Sequence, residues 1–321
     1  MPERDQEVRR IIEDNVGKID GDLIVLKNSI NDVYRCKLTS GEKLIVKARL
    51  LCKEIVERDK KIMELLRYVS KSVKTCKYFG PGIIETDTLH VSLMEEVEGR
   101  YFEPEDILKK DCCIAIGKWI RDFHVATKKF ENEFPEVFRQ LPDSTETPHA
   151  HLVAKCRVPI YKKSPENYGL IHGDFHRENF FLSAHDNTHL VAFDFDNVSK
   201  DLYLVDLGNM IFSAFTVVNW ESISNNKEEI LQHKQNLCDW LIEGYSINNR
   251  NTNSNNNDIE VDRELLRQCV LRTADLTTVW FRLCLENGWR SSGVERMQKY
   301  VDDPDEGKHE FYDVFRLPQP H

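Results

Sequence analysis

No run of 18 apolar residues occurs anywhere in this chain of 321 residues, so no segment reads as a membrane-spanning helix. The opening stretch, Met1-Pro-Glu-Arg-Asp-Gln-Glu, lacks the apolar core of a secretory signal. Among nine cysteines there is no C-x-x-C pair, and Cys112 and Cys113 are adjacent, where neighbours rarely bridge. These absences predict reduced thiols and a soluble cytoplasmic protein with no membrane partner. A Lys/Arg block is also missing. The balance of 54 acidic against 44 basic residues gives a formal charge of −10, which repels nucleic acid, so no nucleic-acid partner is expected. There is no internal repeat. The asparagine run at 248–257 contains no apolar residue to bury and is expected to be a disordered surface loop.

What is present is an ordinary globular composition, 40% hydrophobic and 31% charged, long enough for two lobes with separate cores. Up to about Glu98 the pattern is short strands with a helix among them; after Glu103 it is largely helical, with a strand-rich insert from Gly169 to Phe195. Leu44, Val46 and Ala48 alternate with Lys43, Ile45 and Lys47, the period of a half-buried strand, and a turn at Thr39–Glu42 joins it to a strand over 33–38 as a hairpin. Ile55, Ile62, Leu65, Leu66 and Val69 recur at helical spacing over 54–69. Val91-Ser-Leu-Met-Glu-Glu-Val97 reads as a strand running into Gly99, a natural hinge. Further helices are expected over 111–129, 228–245 and 261–286. The fold class is α+β, with an N-terminal lobe at 1–98 and a C-terminal lobe at 99–321.

In Leu170-Ile-His-Gly-Asp-Phe-His-Arg-Glu-Asn179, an Asp and an Asn lie five residues apart on an expected turn between short apolar strands. Phosphoryl transfer asks for such a pair. A carboxylate accepts or orients the proton of an acceptor hydroxyl, and a carboxamide oxygen holds a metal that neutralises phosphate charge. Asp174 and Asn179 suit those roles, although turns favour both residue types for local reasons and the pair alone fits a plain turn equally well. His189-Leu-Val-Ala-Phe-Asp-Phe-Asp196 then reads as an apolar strand ending in two carboxylates, which period-two alternation puts on one face. Such a carboxylate is costly unless paired or bound to a cation. Mg²⁺ takes oxygen ligands, so Asn179 and Asp194 are its candidate protein ligands, with Asp196 either a further ligand or a turn residue. Lys47, on a strand followed by a helix, suits a lysine that contacts the nucleotide phosphates and is positioned by a helix carboxylate; alone it would read as a solvated edge.

Taken in order, His172-Gly-Asp174-Phe-His176 through Asn179, then Phe193-Asp194-Phe195-Asp196, then Asp206-Leu-Gly resemble the H-G-D-x-x-x-x-N, D-F-[GD] and D-L-[AG] signatures of aminoglycoside phosphotransferase and choline-kinase-like enzymes. Asn28 to Arg35 is similar to the family's loop and strand over the nucleotide, Leu93 to Gly99 to its lobe hinge, and Trp119 to His124 to a helix that often ends in Leu-His. The resemblance covers roughly residues 20–215. It implies a two-lobed protein-kinase-like fold: a small antiparallel sheet lobe with one helix, and a larger, mostly helical lobe. It also implies a kinase using Mg²⁺ and ATP or GTP on a small-molecule hydroxyl.

Residue by residue, the resemblance makes Asp174 the base, Asn179 and Asp194 the Mg²⁺ ligands, and Lys47, Asn31 and His176 nucleotide contacts, with Asp206 bracing the catalytic loop. His172 orients the loop rather than moving protons. There is no glycine-rich phosphate loop between Leu23 and Lys37, which leaves that work to backbone amides around 29–32. The helix partner of Lys47 is either Glu57 or Asp59; Glu57 is preferred because Asp is shorter by one methylene. Two other readings compete: a catalytically inactive kinase-like binding protein, and a haloacid-dehalogenase-type phosphatase using Asp194 as nucleophile, which needs a Rossmann-like half after the motif. The acidic balance mildly favours a cationic acceptor, such as an amino alcohol or an aminoglycoside.

Overall fold

The structure, a computed structural model, describes residues 3–28, 32–146, 163–183, 188–246, 261–286 and 314–315. Asn31 and the asparagine run at 248–257 lie outside the described residues. The chain divides into two compact units, 1–98 with 191–196, and 99–190 with 197–321. The segment 191–196, which a single boundary at residue 99 assigns to the second unit, belongs to the first. No helix among the described residues is long and apolar enough to cross a membrane.

The first unit is built on a five-stranded antiparallel sheet with strands β1 (Ile24–Asn28), β2 (Asp32–Lys37), β3 (Lys43–Leu50), β4 (Tyr78–Glu85) and β5 (Leu89–Glu95), in the order β1-β2-β3-β5-β4. β2 and β3 form the expected hairpin, closed where Gly41 turns through φ 108° and its N–H donates to Leu38 O at 2.9 Å. Leu44, Val46 and Ala48 of β3 pack with Tyr34 and Cys36 of β2 and Val91 and Leu93 of β5. Helix α1 (Glu3–Asn15), which the sequence reading does not anticipate, adds Val8, Ile11 and Ile12 to that cluster. Each fully buried aliphatic side chain there contributes about 1.5–3 kcal/mol.

The opposite face of β3 is buried as well, although it carries Lys47 and Arg49. Helix α2 (Lys53–Val69) turns Val56, Asp59, Ile62, Leu65, Leu66 and Val69 inward, a stripe at steps of three and four residues. Ile62 and Leu66 border the recess that holds Lys47 and Arg49. Among the described residues after Asp196 the chain gives one strand, Ser199–Leu202, antiparallel to Tyr168–Ile171, and then helices, not the parallel Rossmann-like half that the phosphatase reading requires.

The second unit contains the two-residue strand β6 (Arg100–Tyr101), helices α3 (Lys110–Glu133) and α4 (Pro135–Gln140), and strands β7 (Tyr168–Ile171), β8 (Phe180–Leu182) and β10 (Ser199–Leu202). Helices α5 (Leu204–Val217), α6 (Trp220–Ile223), α7 (Lys227–Ser246) and α8 (Arg263–Glu286) follow, while β9 (Leu190–Ala192) straddles the division between units. β10 pairs antiparallel with β7, Ser199 opposite Ile171, so the loop after β7 starts from a fixed strand end. Helices α3 and α7 pack at a glycine contact: a Cβ on Gly117 would lie 2.1 Å from Leu241 O, and one on Gly244 2.2 Å from Ile114 O.

Candidate active site

The candidate residues fall into two clusters, one in each unit. In the first, Lys47 Nζ sits 2.7 Å from Asp194 Oδ1 and 3.0 Å from Asp196 Oδ2. Burial works against the lysine's charge, but Asp196 and Asp194 more than offset it and push its pKa up to about 12. The carboxylates reach Lys47 without the strand alternation expected for them. β9 ends at Ala192, Asp194 takes a left-handed backbone conformation with φ 63°, and Asp196 lies in a single 3₁₀ turn over Phe195–Asn197. A non-glycine residue in that region is uncommon and costs of order 1–3 kcal/mol, so the surrounding contacts must fix it. β9 is itself tied down, with Cys76 N–H donating to Ala192 O at 2.8 Å.

Glu57 is not the partner of Lys47. It is exposed and pairs with Lys60 at 3.0 Å, because it lies two positions from Asp59, about 200° around the helix. Asp59 is the buried carboxylate, three residues before Ile62 on the inward stripe, and its neighbours are Arg49 at 3.6 Å and Arg58 at 3.2 Å. Arg49 Nη2 also lies 3.2 Å from Asp196 Oδ2. Burial opposes the charge of Asp196, yet Lys47 and Arg49 hold its carboxyl well below the usual range. His90, paired in register with Arg49, lies 3.7 Å from Asp59 and is pushed down by burial towards the neutral ring. Neither helix carboxylate expected beside Lys47 is its ion-pair partner: Asp59 pairs with Arg49, which sequence reasoning missed, and Lys47 pairs with Asp194 and Asp196. The inward stripe of α2 and the i, i+2 spacing of Lys47 and Arg49 were the signals available.

The second cluster is the loop 172–179 between β7 and β8. Phe175 is its anchor: fully buried, it stacks on Trp119 at 4.9 Å and on Phe180 at 5.3 Å, so its neighbours Asp174 and His176 are directed away from the core. Gly173 precedes them with φ 81°, and a Cβ there would meet Asn197 O at 2.1 Å. Asp206, at the start of α5, accepts the backbone N–H groups of His172 at 2.8 Å and Gly173 at 2.9 Å, the bracing expected of it. Behind it, His124 Nε2 donates to Asp206 at 3.0 Å and the Tyr245 hydroxyl lies 3.0 Å from His124 Nδ1. Asn209 Nδ2 donates to Gly173 O at 3.2 Å. His172 is buried edge-on to Phe175.

Asp174 receives Asn197 Nδ2 at 3.3 Å and Asn179 Nδ2 at 3.4 Å, and Asn179 Nδ2 also donates to Asp174 O at 2.8 Å. The Glu178 N–H donates to His176 Nδ1 at 3.2 Å, and His176 Nε2 lies 3.2 Å from Asn179 Nδ2 and 3.5 Å from Asp174 Oδ1. Both ring nitrogens of His176 are thus engaged within the loop. Crowding by protein pushes the Asp174 carboxyl up; His176, His172 and the Asn197 amide outweigh that and leave it below its ordinary value. It is ionised at neutral pH.

Asn179 uses Nδ2 in these contacts, which leaves its amide oxygen as the remaining polar atom, and Asp194 keeps a second carboxylate oxygen beyond the one on Lys47. Both are hard oxygen donors of the kind a divalent cation takes. Among the described residues no group of three or more His, Cys, Asp and Glu side chains could hold a metal. A cation shared with phosphate oxygens and water needs fewer protein ligands than such a cage.

Residues 24–229 match the model of the phosphotransferase enzyme family. Over 134 residues, 37% of this chain, the sequence is 25% identical to an amicoumacin kinase of Bacillus subtilis (strain 168), and the match spans 39% of that protein. An amicoumacin kinase solved with AMP-PNP, Ca²⁺ and Ami has a similar fold, with a TM-score of 0.67 at 16% identity over 88% of each chain. A spectinomycin phosphotransferase solved with ADP and spectinomycin gives a TM-score of 0.57 at 12% identity over 97% of each chain. A Plasmodium vivax ethanolamine kinase gives 0.50 at 15% identity over 95% of this chain and 83% of that one. At these identities the structural likeness speaks to the fold, while the family match runs over more than half of the sequence and through both clusters. The chain belongs to the phosphotransferase enzyme family.

Proposed function

We propose that this protein transfers the γ-phosphoryl group of ATP or GTP, bound with Mg²⁺, to a hydroxyl of a small-molecule acceptor. Lys47 contacts the phosphates, Asn179 and Asp194 hold the cation, and Asp174 is the base. The acceptor oxygen bonds to the γ-phosphorus as the bond from that phosphorus to the bridging oxygen breaks; the hydroxyl proton goes to Asp174 and the nucleoside diphosphate leaves. A carboxylate held below its ordinary pKa is a weak base, which suits orienting the hydroxyl and taking its proton late in a loose transition state. When bound, Mg²⁺ supplies charge neutralisation at the phosphates.

The observation that carries this reading is the buried Lys47 beside Asp194, a carboxylate in a left-handed turn with one oxygen to spare. Family membership supports it, as do relatives whose names or bound molecules pair a nucleotide with an antibiotic. Amicoumacin is the first acceptor to test, followed by spectinomycin, aminoglycosides and amino alcohols. The test is nucleotide consumption and phosphorylated product across that panel, with ATP and with GTP. A protein that binds Mg²⁺-nucleotide tightly yet phosphorylates no member of a broad hydroxyl panel would refute the catalytic reading.

A further inference from the structure

Lys47 and Arg49 leave β3 on the same face, opposite Ser92 and His90, and both are buried at 7% exposure. Three carboxylates and three cations meet there: Asp59, Asp194 and Asp196 with Lys47, Arg49 and Arg58. His90 is the neutral neighbour. The cluster is balanced only while Asp194 faces Lys47. If Asp194 turns one oxygen to a cation, Lys47 keeps Asp196 as its remaining carboxylate, and Asp196 is fixed from its other side by Arg49 at 3.2 Å. Arg49 is in turn held by Asp59 of α2 at 3.6 Å. A planar guanidinium spans two carboxylates in a way a lysine ammonium does not.

We propose that Arg49 is a positioning residue for nucleotide binding: anchored on Asp59, it holds Asp196 as the standing partner of Lys47 and so leaves Asp194 available to a cation. The link from helix α2 to the phosphate-binding lysine then runs through an arginine and a second aspartate instead of a direct carboxylate contact. This also assigns Asp196 to the lysine and not to the metal. The inference rests on the reading of Lys47 given above.

A double-mutant cycle tests it. Kd for Mg²⁺ with a non-hydrolysable ATP or GTP analogue, whichever the wild type binds more tightly, is measured by calorimetry well below the melting temperature. The proteins compared are the wild type, Lys47→Met, Arg49→Met and the double variant. Loss of one charge-assisted hydrogen bond's worth of positioning should weaken Arg49→Met binding about ten- to hundredfold. The double variant should bind no worse than Lys47→Met, because Arg49 acts through the lysine. A purely stabilising Arg49 would lower the melting temperature but leave Kd at the wild-type value, or its effect would multiply with that of Lys47→Met; either result overturns the proposal. If Arg49→Met does not yield folded protein, Arg49→Lys and Asp196→Asn read the same link, each expected to weaken binding in the wild type and not in Lys47→Met. Unchanged binding in Lys47→Met sinks the reading of Lys47 and this proposal together, whereas weakened binding there with unchanged Arg49→Met sinks this proposal alone.

Discussion

Replacing Asp206 by Asn is the substitution from which the most can be learned, because it keeps the shape of the residue and removes one acceptor atom. The Asp206 carboxylate is fully buried and takes three donors: the N–H groups of His172 and Gly173 on two oxygens, and His124 Nε2. An amide has one oxygen, so at least one buried donor must face an NH₂ group. A buried donor left unsatisfied costs about 1–3 kcal/mol, and the remaining bonds lose their charge assistance, so about 2–4 kcal/mol of destabilisation is expected. For a unit of roughly 200 residues that lowers the melting temperature by about 4–16 °C. Activity should fall further than stability. The two amides belong to the residues just before Asp174, and misplacing a catalytic group by about 1 Å costs on the order of a hundredfold in rate. Calorimetric melting and kcat with a confirmed acceptor are measured on the same preparation. A variant that melts within 1 °C of the wild type (about a quarter of the smallest expected shift) and retains its kcat would refute the bracing argument, since at least one buried donor would have lost its acceptor at no cost.

Asp174→Asn should lower kcat by about 10²–10⁴ while barely moving Kd for Mg²⁺-nucleotide, because the lost group serves the acceptor; a collapse of nucleotide binding with intact chemistry would move Asp174 to the metal site. Its depressed pKa fixes the sign with pH: the group stabilises the fold above the unfolded carboxylate value of about 4 and loses that contribution as pH falls through its lower folded value, so the acid limb of kcat should lie below pH 4. Phe175→Ala removes a fully buried ring stacked between Trp119 and Phe180 and should cost about 3–5 kcal/mol in urea unfolding; a loss below about 1 kcal/mol would show that the ring does not anchor the loop. Glu57→Gln, on the exposed side of α2, should change neither stability beyond about 0.5 kcal/mol nor nucleotide Kd, and a weakened Kd would return Glu57 to the site.

Reading the sequence recovers what depends on local spacing. The β2–β3 hairpin, α2 and the long helices α3, α7 and α8 follow from apolar periods written into single segments. The loop 172–179 is legible for a different reason, since the residue types that phosphoryl transfer would demand stand there at a short, fixed separation, as at Asp174 and Asn179. Helix α1 is also written plainly, as Val8, Ile11 and Ile12, but its many charged residues mask the stripe. Contacts closed between distant parts of the chain are not legible. Asn197 and Asn209 reach the loop from beyond β9, and Tyr245 backs His124 from 121 residues away. Arg49 and Asp59 look like surface charges until α2 lies on the sheet and buries both. Burial of a charge depends on what covers it, and that is a tertiary fact.

The discontinuous make-up of the first unit has a consequence for how the chain can be made and cut. Its five strands and both helices are encoded before residue 99, yet Asp194 and Asp196 arrive only with residues 191–196. On the ribosome, the intervening chain takes about 5–20 s to synthesise. During that time Lys47 and Arg49 have only Asp59 of their three carboxylates, and the strand partner of Cys76 is missing. A fragment ending at Glu98 is in the same position permanently. Splitting the gene there would leave Lys47 and Arg49 in one half and two of their three carboxylates, Asp194 and Asp196, in the other, so the halves should regain Lys47's ion pairs only when expressed together.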